Sequence, residues 1–207
     1  MTLRAATANP AVLADALLPA ATRAQNALLV VAASLFVALC AQVSLPLPFS
    51  PVPVTGQTFA VLLLGATLGA RRSAAALLLY LAEGALGLPV FAPGGLPGAA
   101  RLLGPTGGYL FAFPVAAFLL GWMMERPEAS GPRRWWLWLG TAFAAELFIL
   151  LAGTAWLRLV VPLPGWSEAA QLGLLPFLPG SVVKVVLVAA CLPASWWAAE
   201  RVHSHNR

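Results

Sequence analysis

The chain has 207 residues, of which 60% are apolar and 9% charged, and its mean hydropathy is +0.85. A water-facing surface cannot be assembled from that composition, which excludes a soluble enzyme or soluble binding domain and predicts an integral membrane protein. Twelve basic residues outnumber seven acidic ones, but on such a chain the excess marks the cytoplasmic side of a membrane, not a nucleic-acid partner.

Residues 1–25, with Arg4, Asp15 and Arg23, read as a cytoplasmic or interfacial lead-in. The apolar run after Arg23 could imitate a signal peptide ending at Cys40, yet Leu39 stands where a small residue is needed and more spans follow, so the run is expected to stay in the chain. A single membrane domain of six helices is predicted over 26–199, an all-α architecture. Its first span, 27–45, stops at the cluster Pro46, Pro48, Pro51 and Pro53, because proline lacks the amide donor and clashes with the preceding turn. The second span, 55–70, ends at Arg71 and Arg72, and the third covers 73–88. Both reach only about 24 Å at 1.5 Å per residue, short of a hydrocarbon core of about 30 Å.

Residues 88–109 form a long interval rich in proline and glycine, too apolar for a solvated linker and expected to cover a binding site. Pro105 suits the first turn of a fourth helix running to Met124, with a kink at Pro114. The charged connection 125–134 leads to a fifth span over 135–160, and Ser167 is expected to cap a short helix ending near Leu175. The sixth span covers 180–199 and a polar tail 200–207 closes the chain. Six spans put both termini on one side. Arg4, Arg23, Arg71, Arg72, Arg126, Arg133, Arg134, Arg201 and Arg207 fall there, against Arg101 and Arg158 on the other, which predicts cytoplasmic termini.

With that orientation the polar residues inside the spans share the outer half: Gln57, Glu83, Thr106, Tyr109, Ser181 and Lys184, with Arg101 in the loop above them. Convergence of residues so distant in sequence is what a small polar solute entering from outside requires. Lys184, the sole lysine, lies about one turn inside an apolar helix. It either snorkels to the interface, pairs with Glu83, or donates to a substrate. Ser181 precedes it by three residues on the same face and could equally be a helix start. Glu83 could pair with Lys184 or Arg101 or accept from a substrate, and Arg101 is a carboxylate-binding candidate. Glu146, mid-way along the fifth span, is read as structural, with a proton relay as the alternative.

Gly65 with Gly69, and Ser34 with Ala38, have the spacing of close helix contacts. Cys40 and Cys191 are treated as small hydrophobes, and His203 with His205 as a tail without a metal. Trp122, Trp135, Trp136, Trp138, Trp196 and Trp197 suit an interfacial belt at the cytoplasmic ends. The chain contains no phosphate-binding G-x-x-x-x-G-K-[ST] loop, no HExxH and no GxSxG, so neither an ATP cofactor nor a catalytic site is expected in it.

The segments PLPFSPVPVTGQTFAVLLLG (46–65), LYLAEGALGLPVFA (79–92), GPTGGYLFAF (104–113) and FLPGSVVK (177–184) resemble the BioY family, over about 27–199. Those are biotin-specific substrate-binding subunits, or S components, of energy-coupling factor transporters. The resemblance implies a six-helix S-component fold in the inner membrane that captures biotin from outside. It also implies a transmembrane coupling subunit and one or two ATP-binding-cassette ATPases as partners, with the S component toppling in the membrane during transport. Carried over, Thr106, Gly107, Tyr109 and Lys184 would contact substrate, and an aspartate usually stands where this chain has Ser181. Ser34 and Ala38 resemble the alanine-rich face presented to the coupling subunit. The rival readings are an S component for another vitamin, an intramembrane enzyme using Glu83 or Glu146, and a non-catalytic scaffold.

Overall fold

The computed structural model describes residues 12–126 and 135–205, with Trp135 and 193–205 described by backbone alone. Of the arginines used for orientation, Arg4, Arg133, Arg134 and Arg207 lie outside the described residues, as do the side chains of Arg201, His203, His205, Trp135, Trp196 and Trp197.

The described residues fold as helices α1 (Leu13–Leu17), α2 (Arg23–Gln42), α3 (Gln57–Leu68), α4 (Ala70–Ala85), α5 (Ala99–Leu103), α6 (Gly107–Met124), α7 (Trp135–Val160), α8 (Trp166–Gly173) and α9 (Leu178–His205). A short 3₁₀ turn, Leu175–Phe177, joins α8 to α9. Four helical stretches among the described residues are long and apolar enough to cross a membrane, whereas α3 has only 12 residues and α4 only 16. At 1.5 Å per residue those two reach about 18 and 24 Å.

Apolarity on every side makes a helix central, and α6 is that helix: 67% of it is buried, against 28% of α2. It packs on α3, α4 and α7. Glycine makes the closest approaches possible. Gly65 of α3 sits against the Ala117 carbonyl of α6, and Gly121 of α6 against the backbone of Ala70, so the 65/69 pair serves internal packing. Gly69 itself takes φ 82°, the left-handed conformation that ends α3 and starts α4. On α7 the buried stripe Trp138, Ala142, Glu146, Ile149, Gly153 and Leu157 follows helical spacing and faces the core. Trp138, 3% exposed, is therefore a core residue and not part of a belt, unlike Trp122 and Trp136, which are 46% and 59% exposed.

The end of the bundle holding Arg72 and Glu125 is tied together by polar contacts. Arg72 donates to Asp15 of α1 at 2.7 Å and to Asn26 of α2 at 2.7 Å, and Glu125 accepts from the Ala70 amide at 2.8 Å. The predicted lead-in thus packs onto the helix ends, with Val12, Ala14 and Ala16 buried.

Three expectations are corrected. The proline cluster folds as an antiparallel hairpin of β1 (Ser44–Leu47) and β2 (Ser50–Thr55), with Ser44 opposite Thr55 and Leu47 opposite Ser50. A two-strand ribbon is all edge, so it tolerates prolines that a sheet interior would reject. Ser167 does not cap α8: Gly165 stands at the cap position, and the Ser167 hydroxyl, already inside the helix, donates to Glu168 at 2.7 Å. The last helix continues through the expected polar tail to His205.

Candidate binding site

The unequal helix lengths leave one end of the bundle open to be closed by non-helical chain. Because α3 starts only at Gln57, β2, the connection after α4 and the start of α6 border a cavity whose empty space, open solvent at its mouth included, is about 550 Å³. β2 contributes Val52, Pro53 and Thr55, and α3 contributes Gln57 and Thr58. The loop and α5 bring Phe91, Ala92 and Arg101, while α6 with its cap brings Thr106, Tyr109, Leu110 and Phe113. Glu146 and Leu150 of α7, Phe177, and Lys184 of α9 complete the wall. Mostly apolar and aromatic walls with a few placed polar groups are the usual make-up of a small-molecule site.

The polar groups are held from behind. Gln57, 6% exposed, donates to the Tyr80 hydroxyl and accepts from Thr55 at 3.0 Å, and Tyr80 in turn donates to the Val90 carbonyl at 3.1 Å. Phe91 meets the Tyr80 ring edge-on at 5.4 Å and lies over Gly84, where a Cβ would strike it. The loop is thereby pinned to α4. Tyr109 presents its ring to the cavity while its hydroxyl donates to the Gly173 carbonyl at 2.7 Å; Gly153 makes room for that ring, since a Cβ there would fall inside it.

Lys184 donates to Thr58 Oγ1 at 2.8 Å. An ammonium has no acceptor, so Thr58 must direct its own proton onward, to Glu146 Oε1 at 3.2 Å. Ser181 also donates to that oxygen, at 2.7 Å. At the other side, Arg101 is 7% exposed and donates through Nη2 to the Ala92 carbonyl at 2.9 Å, with its Nε and the Thr106 hydroxyl buried and unpartnered. Burial pushes the Arg101 guanidinium down from its ordinary value, and nearby Tyr80 opposes the shift. Its tip rests against Gly95, which has no space for a side chain. Arg101 and Thr106 also line an outer groove between the hairpin and the glycine-rich loop, so they stand at the neck joining groove and cavity.

Of the residues predicted from sequence, Gln57, Arg101, Thr106, Tyr109 and Lys184 come together around this cavity. Gly107 lies behind the wall, where Leu102 and Trp156 leave no room for a Cβ. Ser181, 2% exposed, turns to Glu146 and is not among the lining residues. Glu83 is elsewhere: its carboxylate accepts from Ser34 of α2, it is not among the lining residues, and among the described residues it forms no ion pair with Lys184 or Arg101. Ser34, fully buried by that contact, is not a surface residue, while Ala38 is half-buried. Thr58, which no sequence feature marks, and Glu146, whose sequence reading is structural or a proton relay, also line the cavity. The signal that could have found Glu146 is its spacing of seven from Gly153 on one helix face, the glycine that accommodates Tyr109.

The family model described as BioY family matches residues 11–201. This chain belongs to the BioY family. Among BioY proteins it is 42% identical to the probable biotin transporter BioY of Pyrococcus horikoshii, over 73% of this chain and 85% of that one. It is 39% identical to the biotin transporter BioY2 of Lactococcus lactis, over 70% of this chain and 76% of that one. Its fold matches the crystal structure of the S-component for biotin from an ECF-type ABC transporter, with TM-score 0.75 and 26% identity over 84% of this chain and 93% of that one. The BioY chain is thus a multi-pass membrane protein with the S-component fold.

Proposed function

We propose that this BioY chain is the substrate-specific subunit of an energy-coupling factor transporter, capturing biotin outside the cell for passage across the inner membrane. One observation carries the reading: in a chain of this family, a largely apolar cavity holds one ammonium, Lys184, in its wall and one guanidinium, Arg101, at its neck. Biotin needs apolar walls for its thiophane ring and valeryl chain, a donor for its ureido carbonyl and a cation for its carboxylate. Gln57, Thr106 and Tyr109 frame the ligand in this reading, and Thr58 with Ser181 hold the groups that touch it.

The helices α2, α3, α4, α6, α7 and α9 are the six spans, with α3 and α4 completing their crossing through the hairpin, loop and local thinning of the bilayer. The arginine distribution supports cytoplasmic termini, and with them a cavity mouth that opens outside. In this reading energy comes from partner ATPases through a coupling subunit, which the likeness to the S-component of an ECF-type ABC transporter supports. The coupling contact runs along the lipid-facing side of α2, where Leu28, Leu35 and Leu39 are exposed and Ala38 is half-exposed.

Titration of the purified protein with labelled biotin tests the reading. Saturable binding displaced by unlabelled biotin, and not by thiamine or riboflavin, is expected. Binding of another vitamin in place of biotin would reassign the substrate, and no vitamin binding at all would overturn the transporter reading.

A further inference from the structure

One carboxylate in the cavity wall has its hydrogen-bonding capacity only half used. Glu146 is 1% exposed and lines the cavity from the middle of α7. Its Oε1 accepts from Thr58 of α3 and Ser181 of α9, which fixes the orientation of the carboxylate from two neighbouring helices. Oε2 is buried and has no hydrogen-bond partner among the described residues. Buried polar atoms are almost always hydrogen-bonded, and an unsatisfied carboxylate oxygen is costly. Since the group borders the cavity, a ligand seated there can supply the donor. Lys184 supplies the complement: one of its three N–H groups goes to Thr58, leaving others for an acceptor.

The wall therefore presents a charged acceptor and a charged donor joined through one hydroxyl. A cyclic urea edge, with a carbonyl acceptor beside an N–H donor, matches that pair. A carboxylate does not, because it offers acceptors only and would face Glu146 as a like charge. Among the described residues the guanidinium of Arg101, at the neck, hydrogen-bonds to a neutral carbonyl and to no carboxylate. Resting on the proposed capture of biotin, we propose that Glu146 reads a ureido N–H of the ligand and so fixes the direction of binding. The ring system seats against α7 and α9, and the carboxylate points to Arg101 and the outer groove.

The experiment measures Kd for biotin, biotin methyl ester and biotins methylated at either ureido nitrogen, using the purified full chain, Glu146→Gln and Arg101→Gln. In the unmodified protein, at least one N-methyl analogue is expected to bind on the order of tenfold to a hundredfold more weakly than biotin, the span of one hydrogen bond to a charged group. Glu146→Gln narrows that ratio toward one and keeps the ester-to-biotin ratio; Arg101→Gln does the reverse. A Glu146→Gln protein that weakens all ligands in equal proportion, or that alters the ester ratio instead, overturns the inference while leaving biotin capture standing. Failure of the unmodified protein to bind biotin overturns both. If Glu146→Gln does not fold, Glu146→Asp, which withdraws the carboxylate by one methylene, is read by the same ratios.

Discussion

Replacing Lys184 with Met keeps the aliphatic stem and removes the ammonium, and the structure separates two consequences. The first concerns the ligand. A hydrogen bond from a charged donor contributes about 1.5–3 kcal/mol, so Kd for biotin should rise roughly 10- to 150-fold. The second concerns the fold. Thr58 loses the donor 2.8 Å away that orients its proton toward Glu146, and a buried carboxylate is left without its neighbouring cation. Removing one partner of a fully buried pair costs about 3–5 kcal/mol. Lys184 is mostly buried but keeps some exposure, and its hydrogen bond reaches Glu146 through Thr58 and not directly, so the loss should fall toward the lower end of that range. Calorimetric titration with biotin reads the first effect, and thermal unfolding without ligand reads the second. A Lys184→Met protein with a Kd within twofold of the unmodified one would refute the placement of Lys184 in the site, whatever its melting temperature.

Three further substitutions probe the scaffold. Gly95→Ala puts a methyl where the Arg101 guanidinium rests; because only the end of a flexible side chain must move, unfolding free energy should change by less than about 1 kcal/mol while biotin affinity falls severalfold in the same titration. Tyr109→Phe keeps the wall but leaves the Gly173 carbonyl without its donor, a cost of about 1–3 kcal/mol visible in thermal unfolding. Ser34→Val removes the donor to Glu83 between α2 and α4, destabilising the fold by a similar amount. Biotin affinity should stay within about twofold of the unmodified protein, because Glu83 lies away from the cavity; a tenfold loss would return Glu83 to the site.

Hydropathy and proline placement made the helices legible, because in a bilayer the apolar run and its breaker are nearly the whole signal. The hairpin was not legible, since four prolines within 46–53 argue against any ladder that needs their amides. Only the free edges of a two-strand ribbon accommodate them. Within the site, residues at helix starts on the cavity side, such as Gln57, Thr106 and Lys184, could be found by depth alone. Depth does not give azimuth, and that is where Glu83 and Glu146 were exchanged. Glu83 has the right depth, but its side of α4 turns to Ser34 on α2. Glu146 was read as mid-membrane and structural, yet its side of α7 carries Gly153 and meets Tyr109, Thr58 and Ser181.

The exchange has a physical consequence for Ser181. A serine reaches less far and carries no charge, so by itself it cannot balance the ammonium one turn away. In this chain the balancing carboxylate comes from the neighbouring helix, and Ser181 serves it by donating to Oε1. Ser181→Ala should therefore weaken biotin binding only by the loosened orientation of Glu146, about 0.5–1.5 kcal/mol or roughly 2- to 10-fold. Ser181→Asp should be worse than Ala, because a second carboxylate 2.7 Å or so from Glu146 Oε1 forces one of the two to take up a proton. If Asp at 181 instead binds biotin more tightly than Ser and the double variant Ser181→Asp with Glu146→Gln binds as well as the unmodified chain, the two positions are interchangeable carriers of one carboxylate. If Asp at 181 is tolerated with Glu146 intact and no change in the pH dependence of binding, the two side chains do not share a site.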